Sequence, residues 1–94
     1  MATFMMFGNY TKEALDGAGA ARTRKAGALV RQHGGKVKGM YALLGEHDLV
    51  LIVDLPDMAS AIQVSIDLQR LTGVSFRTAP AVDVKEFDKL LAAG

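Results

Sequence analysis

The sequence contains no cysteine, no tryptophan and only two prolines among its 94 residues. Without cysteine, the chain can form no disulfide, no thiolate nucleophile and no cysteine-bound metal or iron–sulfur cluster. Its early apolar run, Phe4 to Phe7, is far shorter than a signal-peptide core or the ~20 apolar residues of a membrane-spanning helix. We therefore expect a soluble cytoplasmic protein with no leader and no membrane segment.

Aromatic residues are also scarce, at 6% of the chain against a hydrophobic fraction of 50%. The core must therefore be built mainly from alanine, valine, leucine, isoleucine and methionine. A chain of this length fits one domain, residues 1–94, which should bury roughly 65% of its unfolded surface on folding. The resulting core is adequate but thin.

Few residues of the chain have the pattern of a metal or cofactor site. The only histidines, His33 and His47, do not have metal-ligand spacing. The Gly17-Ala18-Gly19 segment lacks the third glycine of a dinucleotide-binding loop, and Gly34-Gly35-Lys36 lacks the spacing and the following helix of a phosphate loop. We predict no metal site and no cofactor.

The net charge is only +1, but the charges are unevenly distributed along the chain. Residues 1–45 carry seven basic and two acidic side chains, whereas residues 46–94 carry four basic and eight acidic ones. The bases that fall in an interval without any acid are Arg22, Arg24, Lys25, Arg31, Lys36 and Lys38. Such a cluster can bind anions or nucleic acid. We favour a solvated surface whose charge is met by the acidic half or by a partner subunit, with nucleic acid the less favoured partner.

Hydrophobic periodicity and turn residues predict the order β-α-β-β-α-β followed by a short C-terminal helix. The predicted strands are residues 2–10, 36–44, 48–55 and 74–82, and the predicted helices are residues 20–33, 58–71 and 83–93. The short Gly45-Glu46-His47 connection predicts an antiparallel hairpin, and Pro80 indicates a sheet edge or a bulge. This order is that of the ferredoxin-like α+β fold with a four-stranded antiparallel sheet.

Both faces of the predicted sheet are apolar, although this topology covers only one face with helices. The first strand is apolar on both sides from Phe4 to Phe7, and the third is apolar throughout from Leu49 to Val53. Burial of both faces of an antiparallel sheet requires a second cover, and the simplest cover is another copy of the chain. A two-residue turn at Gly45-Glu46 predicts that Tyr41 lies opposite Val50. The side that we predict to form the dimer contact then carries Tyr41, Leu43, Asp48, Val50 and Ile52.

Several short motifs together resemble the GYD family of small bacterial proteins. They are Asn9-Tyr10-Thr11, the run from Gly34 to Tyr41, the turn Gly45-x-His47-Asp48, and the segment from Leu49 to Asp57. The resemblance covers nearly the whole chain. It implies the dimeric α/β-barrel fold, in which ferredoxin-like subunits pair, and it implies no established reaction.

The broader barrel superfamily that this resemblance implies includes cofactor-free monooxygenases, haem-degrading enzymes and ligand-sensing regulatory modules. One departure from the family pattern is His47, which stands where the family commonly has the tyrosine of its name. A role that depends on a phenol at this position is therefore not implied for this chain.

The residues with candidate chemistry form two groups. His47 with Asp48 could act as a general base and its orienting acid, but adjacent strand residues point to opposite faces, which favours a structural turn in which Asp48 binds backbone amides. Four polar residues on strands could line a ligand pocket or simply pack with satisfied polar ends: Asn9, Tyr10, Tyr41 and Arg77.

These observations leave several functions open. The first is a non-catalytic homo-oligomeric module, a dimer or a larger even assembly, that binds a small molecule or a protein partner. The alternative is a cofactor-free monooxygenase-like or haem-handling enzyme that uses His47 with Tyr41 or Arg77. Anion or nucleic-acid binding by the basic cluster is the weakest of the three.

Overall fold

The computed structural model describes all 94 residues as four strands and four helices. The strands are β1 (Ala2–Asn9), β2 (Lys36–Ala42), β3 (Leu49–Leu55) and β4 (Ser75–Ala81). The helices are α1 (Lys12–Asp16), α2 (Ala20–Gln32), α3 (Met58–Thr72) and α4 (Val84–Ala93). The chain order is β1-α1-α2-β2-β3-α3-β4-α4.

The four strands form one antiparallel sheet in the order β2-β3-β1-β4. Strands β1 and β3 are therefore central, as the sequence predicted, and Pro80 lies on an edge strand. Across the sheet Phe4 lies opposite Val53 on β3 and opposite Pro80 on β4. The ferredoxin-like α+β fold is confirmed.

The segment between β1 and β2 contains one helix more than predicted. The hydroxyl of Thr11 accepts a hydrogen bond from the Ala14 backbone N–H at 3.0 Å, and this N-cap begins the short helix α1. The glycine-containing residues 17–19 then separate α1 from α2. After α2 the chain turns at Gly34, whose φ of +76° is in the left-handed region that glycine adopts most easily.

Side-chain caps also define where α3 and α4 begin. The Asp57 carboxylate accepts a hydrogen bond from the Ser60 backbone N–H at 2.8 Å, and Asp83 makes the same bond with Glu86. The hydrogen bonds from the Ser60 backbone and hydroxyl hold the pKa of Asp57 below its ordinary value. Because α3 begins directly after β3, this cap positions the helix over the sheet.

The core lies between one face of the sheet and helices α2 and α3. Ten apolar residues form a single buried cluster: Phe4, Met6, Ala26, Val30, Leu51, Val53, Leu55, Ala61, Val64 and Leu68. On the outer side of the two helices, His33 Nε2 lies 3.1 Å from the Asp67 carboxylate and links α2 to α3. This layer covers one sheet face only.

The hairpin between β2 and β3 is wider than a two-residue turn. The ladder pairs Tyr41 with Val50, as predicted, but strand β2 ends at Ala42 and β3 begins at Leu49. Beyond these ends the Leu43 N–H still donates to the Asp48 carbonyl at 2.8 Å. The six residues 43–48 therefore leave strand geometry, and strict alternation of side chains does not extend to His47.

Helix α4 stands apart from this packed layer. Every one of its residues is exposed. The molecule has extents of 48 × 30 × 19 Å, which describes an elongated rather than a round shape. None of the four helices has the length and hydrophobicity that crossing a bilayer requires.

Candidate functional site

The sheet face opposite α2 and α3 is apolar and carries no helix of its own chain. Its centre is formed by Met5 and Phe7 of β1 with Val50 and Ile52 of β3, which lie opposite one another in the ladder. Val50 is only 8% exposed and the other three residues are half-buried, but none of the four belongs to the ten-residue core cluster. We call these four residues the open-face strip. Such a contiguous apolar surface is typical of an interaction site.

Tyr41 extends the open-face strip toward the β2 edge. It pairs with Val50, and 59% of its surface is exposed. The tyrosine ring covers Gly39, since a Cβ placed there would be 2.8 Å from Cε2 of Tyr41. Of the predicted interface residues, Tyr41, Val50 and Ile52 share this face, and Leu43 follows the end of β2 in the turn.

The His47 ring packs against Phe7 of the open-face strip and is not hydrogen-bonded to the Asp48 side chain. Its ring centroid is 5.0 Å from that of Phe7, and its Nδ1 is 3.0 Å from Oδ1 of Asn9. The Asn9 amide group also donates to the Glu46 carbonyl at 2.8 Å. On β4, the strand that pairs with the other edge of β1, Arg77 lies opposite Phe7. The irregular turn thus brings His47 to the face that carries Asn9 and Arg77.

The Asp48 side chain has a different partner. Its carboxylate accepts a hydrogen bond from the Tyr10 backbone N–H at 2.8 Å, while its own N–H donates to the Gly8 carbonyl at 2.9 Å. These bonds tie the hairpin to the end of β1. No hydrogen bond joins His47 to Asp48, so the two side chains do not form an acid–base pair.

Tyr10 lies where three concavities meet, at the end of β1. One is a cleft of about 60 Å³ beneath the start of α2, lined mainly by core side chains and bordered by Arg22 and Thr23. A second runs along β2 past Met40 and Tyr41. The third lies beside α1 and Asp48. We call these three concavities the Tyr10 basin.

Arg22 is the charged side chain of this cleft. Its guanidinium carbon lies 5.9 Å from the centre of the Tyr10 ring, and Nη1 is 3.3 Å from the Thr72 carbonyl. Neither Arg22 nor any other arginine or lysine has a carboxylate partner within 4 Å; the chain's single such ion pair is His33 with Asp67. The guanidinium therefore keeps donors available for an anionic group.

The four predicted ligand residues do not form one pocket. Tyr10 and Tyr41 border the same concavity along β2, whereas Asn9 and Arg77 belong to the open face. No group of three histidine or carboxylate side chains is placed to hold a metal ion.

Sequence analysis placed Arg22 in the basic cluster and gave it no role in a pocket. Arg22 lies two residues after the start of α2 at Ala20. This position near a helix start was the one sequence feature that could have indicated an arginine turned toward the sheet. The feature was a weak indication because the start of α2 depends on the length of α1, which the sequence pattern did not show.

A family model for the GYD domain matches residues 4–91 of the chain. The chain belongs to the GYD domain family. The resemblance seen in the sequence is thereby confirmed over nearly its whole length.

A comparison with curated proteins found no match. Among solved structures, the Mycobacterium tuberculosis leucine response regulatory protein LrpA is similar in fold, with a TM-score of 0.59 and 15% sequence identity. The matched region covers 87% of this chain and 51% of LrpA, so the GYD chain corresponds to about half of that regulator. At this identity the likeness concerns the fold alone.

Proposed function

We propose that this GYD domain is a non-catalytic homo-oligomeric module, whose subunits pair through the open sheet face and which binds a small molecule. The observation that carries the proposal is the apolar strip on the sheet face that no helix covers. Pairing of two copies through the same strip buries it in both at once. The depletion of charge at its centre is typical of an interface core.

The interface is tested by Ile52→Lys, which places a charge in the middle of the strip. Native mass spectrometry and light scattering should show an even-numbered assembly for the wild type and a monomer for the variant, because a lysine cannot be buried there unpaired. Circular dichroism should show that the variant keeps its fold. Gln32→Lys, at an exposed position of α2, is the matched control and should remain assembled.

A monomeric wild type at micromolar concentration would overturn this proposal. So would an Ile52→Lys variant that stays folded and fully assembled. If Ile52→Lys unfolds, Met5→Ala provides the test in its place, because it removes apolar area without adding charge. Met5→Ala should weaken the assembly and leave the circular dichroism spectrum unchanged.

The ligand component of the proposal rests on the Tyr10 basin. An apolar cleft with one accessible guanidinium suits a small molecule that has an apolar body and a carboxylate. L-leucine is a reasonable first probe, because the regulator of similar fold is described as leucine-responsive and leucine has both features.

We would measure the melting temperature with and without L-leucine and a panel of small carboxylates. A binder at 100 times its Kd should stabilise the fold by about 2.7 kcal/mol. Arg22→Gln should remove the shift, and Arg24→Gln, on the same helix, should not. A panel that shifts neither protein would contradict the ligand component and leave the interface proposal intact.

The second candidate function is catalysis at the open face, and the placement of His47 favours it. Its ring is held by Phe7 and Asn9 on the face that carries Arg77, so pairing of two subunits would enclose an imidazole beside an apolar surface. Incubation with haem and with quinols in oxygen tests this function. Turnover that His47→Ala abolishes would support it, and unchanged substrates would reject it.

A further inference from the structure

The C-terminal helix α4 has an apolar stripe that its own chain leaves exposed. The stripe consists of Val84, Phe87, Leu90 and Leu91, whose exposed fractions are 73%, 50%, 56% and 64%. Their spacing places them on one side of the helix. Four large apolar side chains in a ten-residue helix are typical of a surface that is buried against a partner.

A second exposed apolar surface lies between α3 and β4. This groove has a volume of about 200 Å³ and is formed by residues of both elements. Its outer wall is the side of α3 that carries Met58, Ile62 and Ile66, which are 54%, 56% and 40% exposed. Phe76 and Pro80 of the edge strand β4 form the other wall. We call it the α3–β4 groove.

The stripe and the groove match in length. From Val84 to Leu91 the stripe spans about 10 Å of helix, and from Met58 to Ile66 the groove wall spans about 12 Å, at 1.5 Å per residue. One α4 therefore covers the groove from end to end.

They also match in charge. The helical positions that flank the α4 stripe are occupied by Glu86 and Asp88, whereas Lys85 and Lys89 fall on the opposite side. One margin of the groove is basic, because Arg70 lies one turn after Ile66 on α3; Arg77, between the groove residues Phe76 and Thr78 of β4, points to the open face instead. An acidic flank of the helix can thus meet the basic α3 margin of the groove, which favours one orientation of docking over others.

The connection between β4 and α4 directs the helix away from its own groove. Only Val82 and Asp83 separate the two elements. Asp83 is extended, with φ −71° and ψ 162°, and its carboxylate caps the helix by accepting from the Glu86 N–H at 2.8 Å. The helix consequently leaves the body of the molecule with every residue exposed. A second copy supplies the groove that the first copy cannot reach in this conformation.

We propose that α4 of each subunit docks in the α3–β4 groove of a second copy, so that two subunits exchange their C-terminal helices. The exchange rests on the homo-oligomer proposed above and adds a second contact region to its sheet-face interface. It explains why one chain carries both an exposed apolar helix and an exposed apolar groove of the same length.

Two variants that damage opposite sides of this contact provide the test. Phe87→Asp alters the helix stripe and Ile62→Asp alters the groove, and both are made in the full-length chain. Each should raise the Kd of the assembly by at least about 10- to 100-fold, the effect of losing one large buried side chain, because the variant homodimer carries the change in both of its contacts. Lys89→Asp, on the opposite side of α4, should leave the Kd within about twofold of the wild type.

Mixing the two variants separates exchange between copies from docking within one chain. A mixed dimer contains one intact helix–groove contact and one contact altered on both sides, whereas each homodimer contains two contacts altered on one side. Because one altered side is expected to break a contact, native mass spectrometry should show heterodimers that are about tenfold tighter than either homodimer. If α4 instead docks in its own groove, mixing restores nothing and the proposal is wrong.

The outcome with Ile52→Lys distinguishes this inference from the proposed function. If Ile52→Lys dissociates the assembly while Phe87→Asp and Ile62→Asp leave its Kd unchanged, helix exchange is wrong and the sheet interface stands. If only the helix and groove variants weaken the assembly, exchange stands and the sheet interface is wrong. A monomeric wild type rejects both.

Discussion

The two faces of the sheet have nearly the same apolar character but very different surroundings. On the covered face, Phe4 and Met6 are 2% and 0% exposed beneath α2 and α3. On the open face, the adjacent Met5 and Phe7 are only half-buried. Composition alone therefore does not distinguish the two faces; the difference is that α2 and α3 cover one of them and no helix of the chain covers the other.

Two methionines that are neighbours on β1 give the sharpest version of this comparison. Met6→Ala should lower the free energy of unfolding by about 2–5 kcal/mol at any protein concentration, because it leaves a cavity in the core. Met5→Ala should lower the free energy of unfolding by about 1 kcal/mol in dilute solution, because the Met5 side chain is only half-buried in a single subunit. Urea unfolding over a range of protein concentrations measures both.

The concentration series is the informative part of this measurement. The penalty of Met5→Ala should grow as the protein is concentrated, since the side chain becomes buried only on assembly. Equal, concentration-independent penalties for the two variants would mean that both faces belong to one subunit's core.

Glycines on the two faces offer a second comparison with smaller effects. A Cβ at Gly8, on the covered face, would lie 2.7 Å from side-chain atoms of Leu49 and of Val74. Gly8→Ala should therefore overpack the core and cost about 1–3 kcal/mol. At Gly39 the nearest atom belongs to the exposed Tyr41 ring, which can move.

We expect Gly39→Ala to change the unfolding free energy by less than about 0.5 kcal/mol in the monomer. Thermal unfolding of the two variants in parallel checks this contrast. A larger loss for Gly39→Ala than for Gly8→Ala would show that the open face is the more tightly packed of the two.

A separate prediction concerns the cap that holds α3 over the covered face. Asp57→Ala should lower the melting temperature by roughly 5 °C at pH 7, because Ser60 loses the acceptor of its N–H. The folded-state pKa of Asp57 is below its ordinary 3.8. The stabilisation is therefore fully present above about pH 4 and is lost as the pH falls through the lower, folded-state pKa.

Scanning calorimetry of the wild type and Asp57→Ala between pH 2 and 7 tests this prediction. Asp57→Asn, which keeps an acceptor, should be less damaging at pH 7. A difference between wild type and Asp57→Ala that is the same at all pH values would contradict the assignment.

Most of the fold could be predicted from the sequence because its main signals are local. Alternating and continuous apolar runs identified β1 and β3, and Asp57 and Asp83 marked two helix starts. Helix α1 was missed because Thr11 and Gly17 enclose only five helical residues, too few for a periodic pattern.

The candidate site was less predictable because it depends on irregular backbone. The pairing of Tyr41 with Val50 follows from hairpin register and was predicted. The position of His47 against Phe7 depends on six turn residues that leave strand geometry. The Tyr10 basin depends on where α2 begins after α1, which places Arg22 at the cleft. Neither arrangement has a period that can be read from the sequence.

The edges of the sheet have a consequence for how far assembly can proceed. Strand β2 has a bulge at Lys38, between Val37 and Gly39, and it carries Lys36 as well; strand β4 contains Pro80, which has no N–H to donate. Charged, bulged or proline-containing edges resist the addition of further strands. Open-ended growth by edge-to-edge pairing of sheets, which would lead to fibres, is thereby disfavoured.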